Sequence, residues 1–152
     1  MKVPYLLLAV LLTGLVSCSK NKFTTTPQIS IKSIGPNVVG RNDIFKVDLA
    51  FTDKQGDVHD SLFMFMHIIN QNQKGLSTEF KSFGFNIPSY PDKTQGDFEL
   101  TFARNLDYGY ALLPDPATSQ NDTVIFSFSV RDSGMHMSDT VAAGSPIVIL
   151  SQ

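Results

Sequence analysis

The chain has 152 residues, with 12 Lys and Arg against 14 Asp and Glu, a single Cys, no Trp and 12 Phe. That length suffices for one domain with a sizeable core. The basic residues are scattered and outnumbered, which argues against nucleic acid as a partner, and one Cys excludes an internal disulfide framework.

The first element is a leader. Lys2 supplies a positive start, Tyr5 to Leu12 (YLLLAVLL) an apolar core, and Thr13-Gly14 loosens the segment before Leu15-Val16-Ser17-Cys18. The run is shorter than the about 20 apolar residues a spanning helix needs, and its layout is that of a secretory signal. Leu15-Val16-Ser17-Cys18 resembles the lipobox of a bacterial lipoprotein signal peptide. The competing reading is an ordinary secretory signal with a nearby Cys; the position of the only Cys at the end of the apolar run favours the lipobox. Cleavage after residue 17 leaves Cys18 to carry lipid, with acyl chains such as palmitate. Each buried CH₂ contributes about 0.8 kcal/mol, so two or three chains hold firmly where one does not. Ser19 is not the acidic residue that retains enterobacterial lipoproteins at the inner membrane, so the expected location is the cell envelope, lipid-anchored at an outer membrane. Residues 18–28 read as the lipidated N-terminus and a polar tether, and residues 29–152 as the folded domain. Only Lys2 among the cations leaves with the leader, so 11 Lys and Arg then face 14 Asp and Glu, a net charge of −3.

Beyond the tether the pattern alternates with period two. Ile29-Ser30-Ile31-Lys32 opens a strand that Gly35-Pro36-Asn37 turns. Phe45, Val47, Leu49 and Phe51 face one way while Lys46 and Asp48 face the other. Leu62 to Ile69 (LFMFMHII) is apolar on both faces and reads as a central strand covered on both sides, or partly covered by a loop, with His67 partly buried and Met64 and Met66 as core. Phe80 to Ile87 is a weaker strand closed by Pro88. Phe98, Leu100 and Phe102 alternate with Asp97, Glu99 and Thr101; Val124, Phe126, Phe128 and Val130 alternate with Thr123, Ser127, Ser129 and Arg131. A last strand runs near Asp139 to Val141 and resumes over Ile147 to Leu150 after a bend at Gly144-Ser145-Pro146. Asn70 to Asp97 and Leu113 to Thr118 read as crossovers, and Asn105 to Leu113 as a turn or short helix. Seven short strands without a long helix predict an all-β fold, an antiparallel immunoglobulin-like β-sandwich.

Two segments carry a family resemblance. Phe51-Thr52-Asp53-Lys54-Gln55-Gly56-Asp57-Val58 is similar to an "FTDxDGD" segment, and Asp122-Thr123-Val124 through Asp132-Ser133-Gly134 to Ser138-Asp139-Thr140-Val141 to a "DTV…F…V.D..G..S.TV" hairpin, of uncharacterised Ig-like lipoproteins of bacteroidetes. The resemblance implies a β-sandwich behind a lipid anchor and no particular activity.

The candidate site is the acidic turn Asp53-Lys54-Gln55-Gly56-Asp57. Closely spaced carboxylates on a Gly-containing turn are what calcium takes, though Gln55 stands where the family often has Asp. In an Ig-like sandwich the loop between the last two strands lies at the same end, which brings Asp132 to Asp53 and Asp57; the three would bind a cation, Ca²⁺ in particular, or repel one another. The plainer reading is that Asp and Gly make good turns. A zinc or copper cluster of His59, His136 and an Asp is a weaker alternative. Enzymatic readings find no support: there is no G-x-S-x-G elbow, the only Cys is used for lipid, Glu79 and Glu99 have no partner spacing, and no glycine-rich loop precedes a helix. The expected function is therefore a non-enzymatic binding or structural role, with an unknown protein or glycan partner. The alternative is a ligand- or carbohydrate-binding accessory of an uptake system, which clustered Tyr90, Tyr108 and Tyr110 would favour; an exposed patch from Phe63, Phe65 or Phe83 would favour a protein partner.

Overall fold

The computed structural model describes residues 24–69, 80–104, 111–113, 116 and 120–151. Cys18, Tyr108, Tyr110 and residues 105–110 of the turn or short helix expected over Asn105 to Leu113 lie outside them, while Ala111-Leu112 of that stretch form a strand instead. Ten strands and no helix occur among the described residues: β1 (Gln28–Gly35), β2 (Val38–Val39), β3 (Ile44–Thr52), β4 (Ser61–Ile68), β5 (Phe80–Asn86), β6 (Gln95–Ala103), β7 (Ala111–Leu112), β8 (Asp122–Arg131), β9 (Val141–Ala142) and β10 (Ile147–Ile149). They form two sheets, one of order β1-β3-β6-β7 and one of order β2-β10-β8-β4-β5, with β9 also paired to β8.

The long pairings are antiparallel. Phe45 stands opposite Phe102, Val47 opposite Leu100 and Leu49 opposite Phe98 across β3 and β6, so the apolar halves of both strands fall on one face. In β4, Leu62, Met64, Met66 and Ile68 point inward against Val124, Phe126, Phe128 and Val130 of β8, all of them buried. The sheets meet through aromatic rings: Phe45 lies 4.9 Å from Phe126, and Phe85 of β5 lies 5.7 Å edge-on to Phe102. Each such ring fully withdrawn from water contributes about 1.5–3 kcal/mol. Exposed pairs on the outer face of the first sheet, Lys32–Asp97 at 2.9 Å and Lys46–Glu99 at 3.3 Å, add little.

Three expectations need correction. The sandwich is not wholly antiparallel, because the two-residue strands β2 and β7 run parallel to β10 and β6. Runs as short as Val38-Val39 carry no periodicity and pair only because longer strands bring an edge to them. The expected seven strands become ten, since β2 and β7 are added and Gly144-Ser145 divides the last strand into β9 and β10. Finally, β4 is not buried on both faces: Phe63 and Phe65 are only partly buried on the outer face and His67 is exposed.

Candidate metal centre

The acidic turn begins where β3 ends. Asp53 Oδ2 accepts from the Gly56 amide at 2.7 Å and the Asp57 amide at 3.3 Å, so the side chain closes the turn that its own backbone opens. Gly56 has φ +78°, and a Cβ there would stand 3.0 Å from the Lys93 backbone, so only glycine fits without strain. The Gly56 carbonyl accepts from Lys93 N at 2.9 Å and Asp53 N donates to Thr94 O at 2.9 Å, fastening the turn to the approach to β6.

The second loop follows β8. Asp132 Oδ1 accepts from the His136 amide at 2.7 Å, and His136 Nδ1 lies 2.9 Å from Asp132 Oδ2. Ser133 N donates to the Asp57 carbonyl at 3.1 Å and so ties the loops together. The β3–β4 and post-β8 loops thereby share one end of the sandwich, and one carboxylate oxygen each from Asp53, Asp57 and Asp132 lies within 4.8 Å of the others. It is the one group of three or more His, Cys, Asp or Glu of this kind among the described residues. All three residues singled out in the sequence are thus brought together.

The electrostatics are unfavourable for a bare cluster. Asp53 is fully buried, and its Oδ1 and the Oδ1 of Asp57 are buried without a hydrogen-bond partner. Burial pushes the Asp53 carboxyl above the usual carboxylate range; the Gly56 and Asp57 amides pull it back, and the Asp57 carboxylate raises it again. Burial and the charges of Asp53, Asp57 and Asp92 push the Tyr90 phenol up to about 12. The Tyr90 hydroxyl donates to the Val58 carbonyl, one residue beyond Asp57. Arg131 lies nearby but pairs with Asp60, Nε to Oδ2 at 2.6 Å.

The histidine cluster does not form. His59 Nδ1 is 3.1 Å from Ser133 Oγ and its Nε2 is 3.7 Å from Asp92, while His136 is engaged with Asp132. Tyr90 packs against the core and lies 6.3 Å from Phe51, so its ring is no free stacking platform. Beside it a cleft of about 250 Å³ is lined mainly by Phe51, Ile87, Tyr90, Gly96 and Phe98. Of the three Phe named as a possible patch, Phe83 turns inward onto the core. Phe63 and Phe65 stay outside, where Phe80 joins them: it is 64% exposed and lies 5.9 Å from the Phe65 ring. Phe80 opens β5 directly after Glu79, and its register opposite His67 on the outer face is set by β4, which alternation within β5 alone does not reveal.

No protein-family model matches the chain, and no curated protein does. Among solved structures it is similar to Spo0M, a sporulation control protein from Bacillus subtilis, at 13% identity and TM-score 0.45, covering 85% of this chain and 51% of that one. It is also similar to a Niemann-Pick type C2 protein from the Japanese carpenter ant, at 12% identity and TM-score 0.39, covering 82% of this chain and 92% of that one. A variant of the SrpA adhesin from Streptococcus sanguinis matches at 18% identity and TM-score 0.36, covering 84% and 57%. The chain thus spans about half the length of the Spo0M structure. With TM-scores and identities this low, these likenesses assign neither a family nor a function.

Proposed function

We propose that this protein is a lipid-anchored module of a bacterial cell envelope, non-enzymatic, with a binding or structural role and a protein partner. Cys18 at the end of the apolar leader carries the anchoring part of this reading. Cleavage before it and acylation tie the chain to a membrane, on the outer-membrane side in the absence of an acidic residue at position 19. Thr24, six residues on, already accepts a hydrogen bond from Lys54 N at 3.0 Å, so the domain stands close to its lipid.

The immunoglobulin-like reading of the sandwich belongs to the same proposal. Its support is the strand order: β1, β3 and β6 side by side in one sheet, β10, β8, β4 and β5 in the other, and β2 parallel beside β10 at the edge. A protein partner is favoured over a glycan because Phe63, Phe65 and Phe80 form an apolar outer face on β4 and β5, whereas Tyr90 is committed to the core. Cell fractionation of Cys18→Ala tests the anchor. The variant is expected in the soluble fraction, and a variant that still pellets with membranes and leaves them only in detergent refutes the reading.

A further inference from the structure

We propose that Asp53, Asp57 and Asp132 form a calcium site that staples the two sheets at one end of the sandwich. Two independent features point to a cation. The first is convergence: three carboxylates from two loops stand within 4.8 Å, a placement that repulsion opposes unless a positive charge lies among them. The second is the state of the oxygens. Asp53 is fully buried, its Oδ2 is taken by two amides, and its Oδ1 has no donor; the buried Oδ1 of Asp57 has none either. A buried ionised carboxylate without a partner is costly, and pairing or a metal is the usual remedy. Among the described residues no Lys or Arg ion-pairs with any of the three. Asp132 is engaged with His136 through both oxygens, yet each carboxylate oxygen keeps a further lone pair.

The chemistry selects the ion. An all-carboxylate set is hard and suits calcium or magnesium rather than zinc. Calcium accepts flexible shells of mixed carboxylate, carbonyl and water oxygens, whereas Mg²⁺ demands near-ideal octahedral geometry, dehydrates reluctantly and is seldom held by a protein cage. Oxygens within 4.8 Å of one another can share one calcium ion, whose ligands at about 2.3–2.6 Å stand up to about 4.6–5.2 Å apart. Three side-chain oxygens are half or less of a calcium shell, the remainder coming from carbonyls and water, which places the affinity in the range of about 10⁻⁴–10⁻³ M usual for extracellular modules.

The consequence is mechanical. Asp53 follows β3 of the first sheet and Asp132 follows β8 of the second, so one ion bridges both layers through the loops that Ser133 N and the Asp57 carbonyl already join. The full-length chain in detergent provides the test, with calcium and terbium salts as probes. Calcium at about ten times its dissociation constant is expected to raise Tm by about 4–6 °C over the chelated protein. Terbium is expected to show emission sensitised by tyrosine, since Tyr90 bonds to the residue after Asp57 and no Trp competes for excitation; calcium should quench that emission by displacement and magnesium should not. Asp57→Asn is expected to keep or raise Tm in chelator, because it removes a repelling charge, and to abolish the calcium-dependent rise. Asp132→Asn, which retains an acceptor for the His136 amide, is expected to do the same. A Tm identical in calcium and chelator, a full calcium response in both variants, or an equal response to magnesium overturns the proposal.

Discussion

Gly96 on β6 is the position where one methyl group most directly tests how the sandwich is packed next to the acidic turn. A Cβ there would stand 2.7 Å from Phe51 Cε1 and 2.8 Å from Phe51 Cζ. Carbon atoms rest at about 3.5–4.0 Å, so the ring must retreat by about 0.8–1.3 Å. It is hemmed in by Phe98, stacked at 4.7 Å, and by Tyr90 at 6.3 Å, but the cleft beside it offers some room. Overpacking costs about 1–3 kcal/mol, and replacing Gly by Ala in a strand recovers about 0.5–1 kcal/mol of backbone entropy. Gly96→Ala should therefore destabilise by up to about 2.5 kcal/mol, which lowers Tm by up to about 10 °C in a domain of this size. Urea unfolding with an unchanged m-value is the assay. Adding Phe51→Leu should recover about 1 kcal/mol relative to the sum of the single changes, because the two side chains collide. A raised Tm for Gly96→Ala, or strict additivity in the pair, refutes the packing described for this end.

Two other predictions follow from single groups. Ser138 Oγ accepts from the Val130 amide at 3.0 Å and donates to the Asp139 carbonyl at 2.9 Å; Ser138→Ala strands a buried amide and should cost about 1–3 kcal/mol in chemical unfolding, while a loss below experimental error contradicts it. The two neighbouring acids titrate with opposite sign. The folded Asp53 carboxyl is raised above 3.8, chiefly by burial, so the chelated protein loses stability as the pH rises from 3.8 through the folded value. Hydrogen bonds from Arg131 and Ser61 hold Asp60 below 3.8, so its contribution is present above 3.8 and disappears as the pH falls through the folded value. Asp53→Asn should thus gain on the wild type with rising pH, and a pH-independent difference between the two proteins rules this out.

The sequence by itself carried the strand faces and the acidic turn. Phe45, Val47, Leu49 and Phe51 alternate with polar residues because a strand has two faces and only one meets the core, so burial writes a period of two into the chain. Asp53 and Gly56 mark a turn because each has a local reason to be there, one an acceptor for nearby amides and the other a positive φ. Residues such as Val38-Val39 and Ala111-Leu112 are strands only because an edge of another strand lies beside them, a fact no two-residue window holds. The exposure of His67 likewise depends on which side of β4 the other sheet covers. The expected topology put Asp132 at the end of Asp53 and Asp57, but only the tertiary structure decided how closely they converge and how they are buried. Asp57 and Asp132 are 75 positions apart in the chain, and the crossing from β3 to β4 and the return of β8 beside β4 bring their carboxylates to one place. Their sequence positions indicate two turns and the expected sandwich puts these at one end; that two of their oxygens are buried without a donor is a property of the closed sandwich.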